Sequence, residues 1–161
     1  MQTDNKSLLS ELAYALTDHS TFEIGSRHFV DLTEGGLFFT QEEYMREDIT
    51  PERLVKYHDW EQNLIRTYME HDLIAIEPLP SYESFHIMED FIESRHSHEQ
   101  QHLVKALKRS RPFACFKYAA DDLGILKEWY EFKDEAQNRM AEKWLHDEGL
   151  TIIDGKIVRK K

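Results

Sequence analysis

The sequence predicts a mostly helical α+β domain, with a small antiparallel hairpin sheet in the N-terminal half and a packed helical C-terminal half. Three observations predict it. Apolar residues recur at helical spacing through the second half, most clearly Trp129, Phe132, Ala136, Met140 and Trp144. In the first half, Gly35-Gly36 separates two short β-branched and aromatic runs, and paired glycines supply the positive φ of a tight hairpin turn. The chain has 161 residues, 40% hydrophobic and 12% aromatic, which is the size of one domain with enough apolar surface for a core. We read 1–161 as a single domain without an internal repeat, a low-complexity tract or a dividing linker.

The elements follow in order. Ser7 can cap a helix over about Leu8–Leu16, with Leu8, Leu9, Leu12, Ala13 and Leu16 on one face. Strands are expected at Arg27–Leu32 and Leu37–Thr40, with a short earlier strand at Phe22–Ile24 beside them. Gln41–Asp48 reads as an exposed acidic connection. Thr50-Pro51 is a helix start, an N-cap followed by Pro at the first helical position, and the apolar stripe through Leu54, Tyr57, Trp60, Leu64, Ile65 and Tyr68 predicts one helix from Pro51 to His71. Leu73–Ile76 is a strand, and Pro78 and Pro80 force an extended passage after it. Ser81 opens a helix that buries Phe85, Met88, Phe91 and Ile92 and ends near Glu93 to Arg95. Another helix covers Ser97–Lys108. Pro112 opens a shorter one that buries Phe113, Phe116, Ala120 and Leu123 and stops near Gly124. Ile125–Glu148 is the longest, closed by Gly149. TIIDGKIV reads as a terminal hairpin turning at Asp154-Gly155. In all, five or six helices are expected.

Composition narrows the function classes. The longest apolar runs, such as Leu73–Ile76, are far short of the roughly 20 residues that a membrane span needs. The first residues carry only Lys6 before a short, interrupted apolar stretch, which reads as an amphipathic helix and not as a signal peptide. The one cysteine, Cys115, excludes an intramolecular disulfide framework, fits a reducing compartment and reads as a buried structural thiol. The expected setting is the cytoplasm.

Charge is unevenly distributed. The net charge is −11, yet Gln100–Ala120 holds no acidic residue and carries Lys105, Lys108, Arg109, Arg111 and Lys117. The tail 151–161 repeats the pattern after Asp154, with Lys156, Arg159, Lys160 and Lys161. Setting those nine cations aside leaves −20 on the remainder, so the molecule is acidic with two basic islands. Interleaved with Phe113, Phe116 and Tyr118, the first island has two readings: the phenylalanines are core and the cations face water or pair with the abundant acids elsewhere, or the island receives an acidic protein or a phosphate-bearing ligand. Nucleic acid is the weaker reading, because a chain this acidic repels a long polyanion.

One stretch has the look of an enzyme motif. His98-Glu99-Gln100-Gln101-His102 matches H-E-x-x-H, in which two imidazoles one helical turn apart hold Zn²⁺ and the glutamate serves a metal-bound water as base. A catalytic zinc takes three protein ligands, and the extended form of the motif fails, because Lys105 and Lys108 stand where a Gly and a third His belong. Glu128 or Glu131 would have to complete the site. The competing reading is a solvated first turn with Glu99 near the positive helix end. The sequence has no phosphate loop and no nucleophile elbow, and it implies no cofactor.

From Ile76 to Leu150 the chain carries F-x-x-F-K (Phe113, Phe116, Lys117), W-Y-x-F (Trp129, Tyr130, Phe132), A-x-x-W-L (Ala141, Trp144, Leu145) and, upstream, M-E-D-F-I (Met88–Ile92). In the order and spacing of these residues it resembles uncharacterised protein family 0158. The resemblance implies no activity. It does imply that Phe113, Phe116, Trp129, Phe132 and Trp144 are packing residues, and that His98 and His102 are local to this chain. Lys117 and Tyr130 are polar members of the same signature. The expected function is therefore a non-catalytic interaction or regulatory module that receives an anionic group at Arg109, Arg111, Lys117 and Tyr130. The alternatives are a zinc-dependent hydrolase built on His98, His102 and Glu99, and a structural or homo-oligomerising role through exposed Trp or Tyr.

Overall fold

A computed structural model describes residues 2–161, with side chains from Asn5 onward. The chain groups into two compact units: the residues up to Pro78 together with Ala141–Lys161, and Leu79–Met140. The fold is α+β and mostly helical, with antiparallel sheets of three and two strands. Eight α-helices are present among the described residues, more than the five or six expected, because two N-terminal segments are each a short helix of their own.

In the first unit, α1 (Gln2–Thr17) begins before Ser7, so Ser7 lies inside the helix and does not cap it. Of the expected face, Leu8, Leu12, Ala13 and Leu16 are buried and Leu9 is half-buried. The strand expected at Phe22–Ile24 is instead helical, α2 (His19–Glu23). Asp18 decides this, since its carboxylate accepts the Thr21 amide at 3.4 Å as an N-cap, and Gly25 at φ +92° then ends the turn.

The three strands are β1 (Ser26–Asp31), β2 (Gly36–Gln41) and β3 (Leu73–Ile76), in the order β2-β1-β3 and antiparallel throughout. The central strand pairs Phe29 with Phe38 on one side and Val30 with Ile74 on the other. The hairpin turn closes around Asp31. One of its carboxylate oxygens accepts the amides of Thr33 at 3.0 Å and Glu34 at 3.2 Å, and the other meets His71 Nδ1 at 2.7 Å. Gly35 is required here. Its φ is +84°, and a Cβ would lie 2.7 Å from the Cβ of Lys156 in the terminal hairpin, whose Ile157 amide donates to the Gly35 carbonyl at 2.7 Å. That hairpin, β4 (Leu150–Ile153) and β5 (Lys156–Arg159), turns at Asp154-Gly155 as expected, both at positive φ.

The helix expected over Pro51–His71 is two: α3 (Pro51–Leu54) and α4 (Asp59–Glu70). Glu61 reaches back to the His58 amide at 2.9 Å and starts a new helix where the apolar stripe seemed unbroken. The stripe holds at Ile65, which is buried, but Trp60 points to solvent. The Gln41–Asp48 connection is not wholly exposed either. It makes a short 3-10 turn, Glu42–Tyr44, that buries Tyr44 beside Ile49 and Ile65. Tyr44 donates to Glu61 at 2.9 Å, and burial together with that carboxylate pushes the phenol up to about 12.

The second unit is the helical half. It contains α5 (Ser81–Glu93), α6 (Ser97–Leu107), α7 (Pro112–Asp122) and the first part of α8 (Leu126–Asp147). Phe91, Phe116 and Trp129 form its centre, with Phe116 edge-on to Trp129 at 4.8 Å and Phe91 5.3 Å from Trp129 and from Phe132. Ala106 on α6 and Ala119 and Ala120 on α7 are buried around them, small enough to let the two helices approach closely. Phe113 departs from expectation. It stands in the first turn of α7, three residues before Phe116, and is 47% exposed.

The two phenylalanines of the F-x-x-F-K signature therefore have unequal roles. Phe116→Ala is expected to cost about 3–5 kcal/mol by urea unfolding, the range for a fully buried Phe. Phe113→Ala should stay within about 0.5–1 kcal/mol of the parent. Equal losses would contradict this packing.

Candidate functional site

Two polar stripes face each other across α6 and α7. His102, Lys105 and Arg109 follow at i, i+3 and i+7, so the helical period puts them on one side of α6 and of the turn that ends it. Cys115, Tyr118 and Asp122 repeat the same spacing on α7. All six line a groove of about 230 Å³ floored by Ala106 and Ala119. The buried alanines bring the helices together, and the inward-facing Phe116 fixes the turn of α7 that sends Tyr118 the other way, where it is exposed. The groove is thus lined by two cations from one side and one carboxylate from the other, with an imidazole beside the cations.

Of the residues singled out in the sequence, Arg109 lines this groove. Arg111, Lys117 and Tyr130 do not. Arg111 is exposed in the loop before α7 and holds φ +59°, a left-handed conformation that a side chain adopts at a cost and glycine would adopt freely. Lys117 is exposed on α7. Tyr130 is half-buried, its ring packed against the Phe91–Phe116–Trp129 core with Lys133 Nζ 5.0 Å above it. Cys115 is half-buried, its thiol 3.5 Å from the Ser110 carbonyl, and is not the fully buried thiol expected.

The two basic islands are held differently. In the tail, Arg159 pairs with Asp72 at 3.2 Å and Lys160 Nζ lies 2.7 Å from His146 Nδ1. Among the described residues, none of Lys105, Lys108, Arg109, Arg111 and Lys117 forms an ion pair. The second unit carries eleven acidic and nine basic residues, −2 of the total −11, which leaves −9 on the first.

The H-E-x-x-H stretch occupies the first turns of α6. His98 is exposed, and His102 belongs to the groove. Glu99 is taken up by Arg95, whose Nε and Nη2 donate to its two oxygens at 3.1 and 3.4 Å. The Arg95 hydrogen bonds outweigh burial and hold the Glu99 carboxyl below its ordinary value, which makes it a poor base. Among the described residues, no three His, Cys, Asp or Glu side chains stand together as a metal-ligand set, so neither Glu128 nor Glu131 completes one. Among the described residues, no helix is long and apolar enough to cross a membrane.

Two His–carboxylate pairs in the first unit carry no sequence signal, since their members are ten and forty residues apart. They are His71 with Asp31, above, and His28, whose Nε2 is 2.9 Å from Asp18 Oδ2. Burial pushes the Asp18 carboxyl up. The Thr21 hydroxyl and amide and the His28 ring more than offset this and hold it below the ordinary range.

Glu99 should titrate below its ordinary 4.5, and Arg95→Ala should return it toward that value in a carboxyl-detected NMR titration. Because the folded value is the lower one, the pair contributes above pH 4.5 and its contribution is lost as pH falls through the folded value. At about 0.3–0.5 kcal/mol, the size of an i,i+4 pair, it is small.

No curated protein and no solved structure matches the chain. A family model does, over residues 1–156, nearly the whole length and well beyond the helical half where the aromatic signature lies. The chain belongs to the uncharacterised protein family UPF0158.

Proposed function

We propose that this protein is a non-catalytic interaction module of the cytoplasm whose α6–α7 groove receives an anionic group of a partner, in the first place an acidic protein segment. The observation that carries the reading is the unpaired state of the Lys105–Lys117 island in a chain with an excess of eleven negative charges. Carboxylates are abundant, and the tail's Arg159 has one, yet these five cations have none within ion-pair distance among the described residues. Lys105 and Arg109 supply the charge, and the phenol of Tyr118 supplies a donor and an exposed ring. Arg111 and Lys117 widen the positive field around the groove. An unpaired Cys115 in a chain with no other cysteine fits a reducing compartment. A short anion suits the site better than a nucleic acid, because a chain with a net charge of −11 repels an extended polyanion.

The test is fluorescence anisotropy with a labelled ten-residue oligoglutamate peptide at low salt. The parent should bind it, and Lys105→Ala with Arg109→Ala should weaken binding about tenfold, since each exposed charge contact is worth up to ~1 kcal/mol. Raising the ionic strength should have the same effect. Binding that survives the double substitution would remove the groove from the account. Tighter binding of a single-stranded oligonucleotide than of the peptide would overturn the partner class.

A further inference from the structure

A second cavity lies in the first unit, and its chemistry is of the opposite sign. Helix α1 and the hairpin β1–β2 flank an open groove of about 540 Å³, within the size range of small-molecule sites. Ser10, Glu11 and Tyr14 line it from α1, and His28, Leu37 and Phe39 line it from the strands. The wall is aromatic. His28 and Phe39 lie 4.7 Å apart and tilted, and Tyr14 meets His28 edge-on at 6.3 Å. Tyr14 and Phe39 nevertheless remain 61% and 44% exposed, so their rings are offered to the groove and not closed over by the protein.

The polar groups give the groove its sign. No lysine or arginine lines it. Glu11 does, and it forms no ion pair among the described residues. Behind the wall, the buried Asp18 carboxylate holds His28 through Nε2 at 2.9 Å, while Ser20 and Thr21 hold Asp18 in turn. The imidazole is thereby fixed in orientation, with Nδ1 as the nitrogen left for another partner. An exposed carboxylate beside exposed aromatic faces is the arrangement that attracts an organic ammonium: the carboxylate pairs with the charge and the rings take both the cation and the apolar body. An anion would meet the Glu11 carboxylate with no lysine or arginine among the described lining residues to offset it.

We infer that the α1–hairpin groove is a binding site for a small aromatic amine, with Glu11 receiving the ammonium, Tyr14 and Phe39 flanking the ring, and His28, positioned by Asp18, contacting the polar end of the ligand. The probe is 2-phenylethylamine, titrated into ¹⁵N-labelled protein, with 3-phenylpropionate as its anionic counterpart. The amine should shift the amide signals of Tyr14, His28 and Phe39 in a saturable way, and the acid should bind at least about fivefold more weakly. Glu11→Gln should lower affinity for the amine about fivefold, the size of an exposed charge contact. Phe39→Ser should lower it further. Both residues are at the surface, so an otherwise unchanged spectrum certifies the fold of each variant. An absence of saturable shifts at the three residues would overturn the site. Equal affinity for amine and acid, or an indifferent Glu11→Gln variant, would overturn the assigned ligand class.

Discussion

Phe116 packs edge-on against Trp129, and Phe91 packs against both. The helical unit depends on that three-ring contact. It fixes the rotation of α7 about its own axis, because Phe116 must point inward. Once it does, the spacing of an α-helix leaves no choice about where Cys115, Tyr118 and Asp122 go. Leu103 and Ala106 set α6 in the same way and turn His102, Lys105 and Arg109 toward the same groove. Phe91, Phe116, Trp129 and Phe132 are thus a core, with Phe113 outside it, and the polar residues interleaved with them take their geometry from that core.

The second constraint is charge. An acidic chain can neutralise its own cations cheaply, and in the C-terminal tail Arg159 is held on Asp72, while Lys160 is hydrogen-bonded to the His146 ring. The tail is therefore part of the first unit's structure. The cluster from Lys105 to Lys117 is set apart from this pattern in a unit with a net charge of only −2, where a local excess of positive potential survives. The first unit concentrates the opposite sign, and its aromatic groove carries a carboxylate where the helical one carries lysine and arginine.

Much of this was legible in the sequence wherever periodicity alone decides structure. The hairpin at Gly35-Gly36, the strand at Leu73–Ile76, the helices from Ser81 to Asp147 and the terminal turn at Asp154-Gly155 all follow from apolar spacing and turn residues. Two of the misses share one cause. At Asp18 and Glu61 a single side chain caps a helix, overriding a strand-like run in one case and dividing a continuous stripe in the other. Phe113 has the right spacing for the core but falls in the first turn of α7. The site was half legible. Arg109 and the basic island could be read directly, and the i, i+3, i+7 repeat of His102, Lys105 and Arg109 was available as well. The apposition of Cys115, Tyr118 and Asp122, and the pairing of His28 with Asp18, are products of tertiary packing, and no local pattern encodes them.

The central claim is that the α6–α7 groove, and not basic surface in general, is where an anion is received. The most direct measurement is an amide chemical-shift map of the ¹⁵N-labelled protein titrated with inorganic pyrophosphate. The account predicts saturable shifts concentrated at His102, Lys105, Arg109 and Tyr118. Shifts of equal size at exposed cations outside the groove, such as Lys127 and the C-terminal Lys161, or none at the four groove residues, would contradict it.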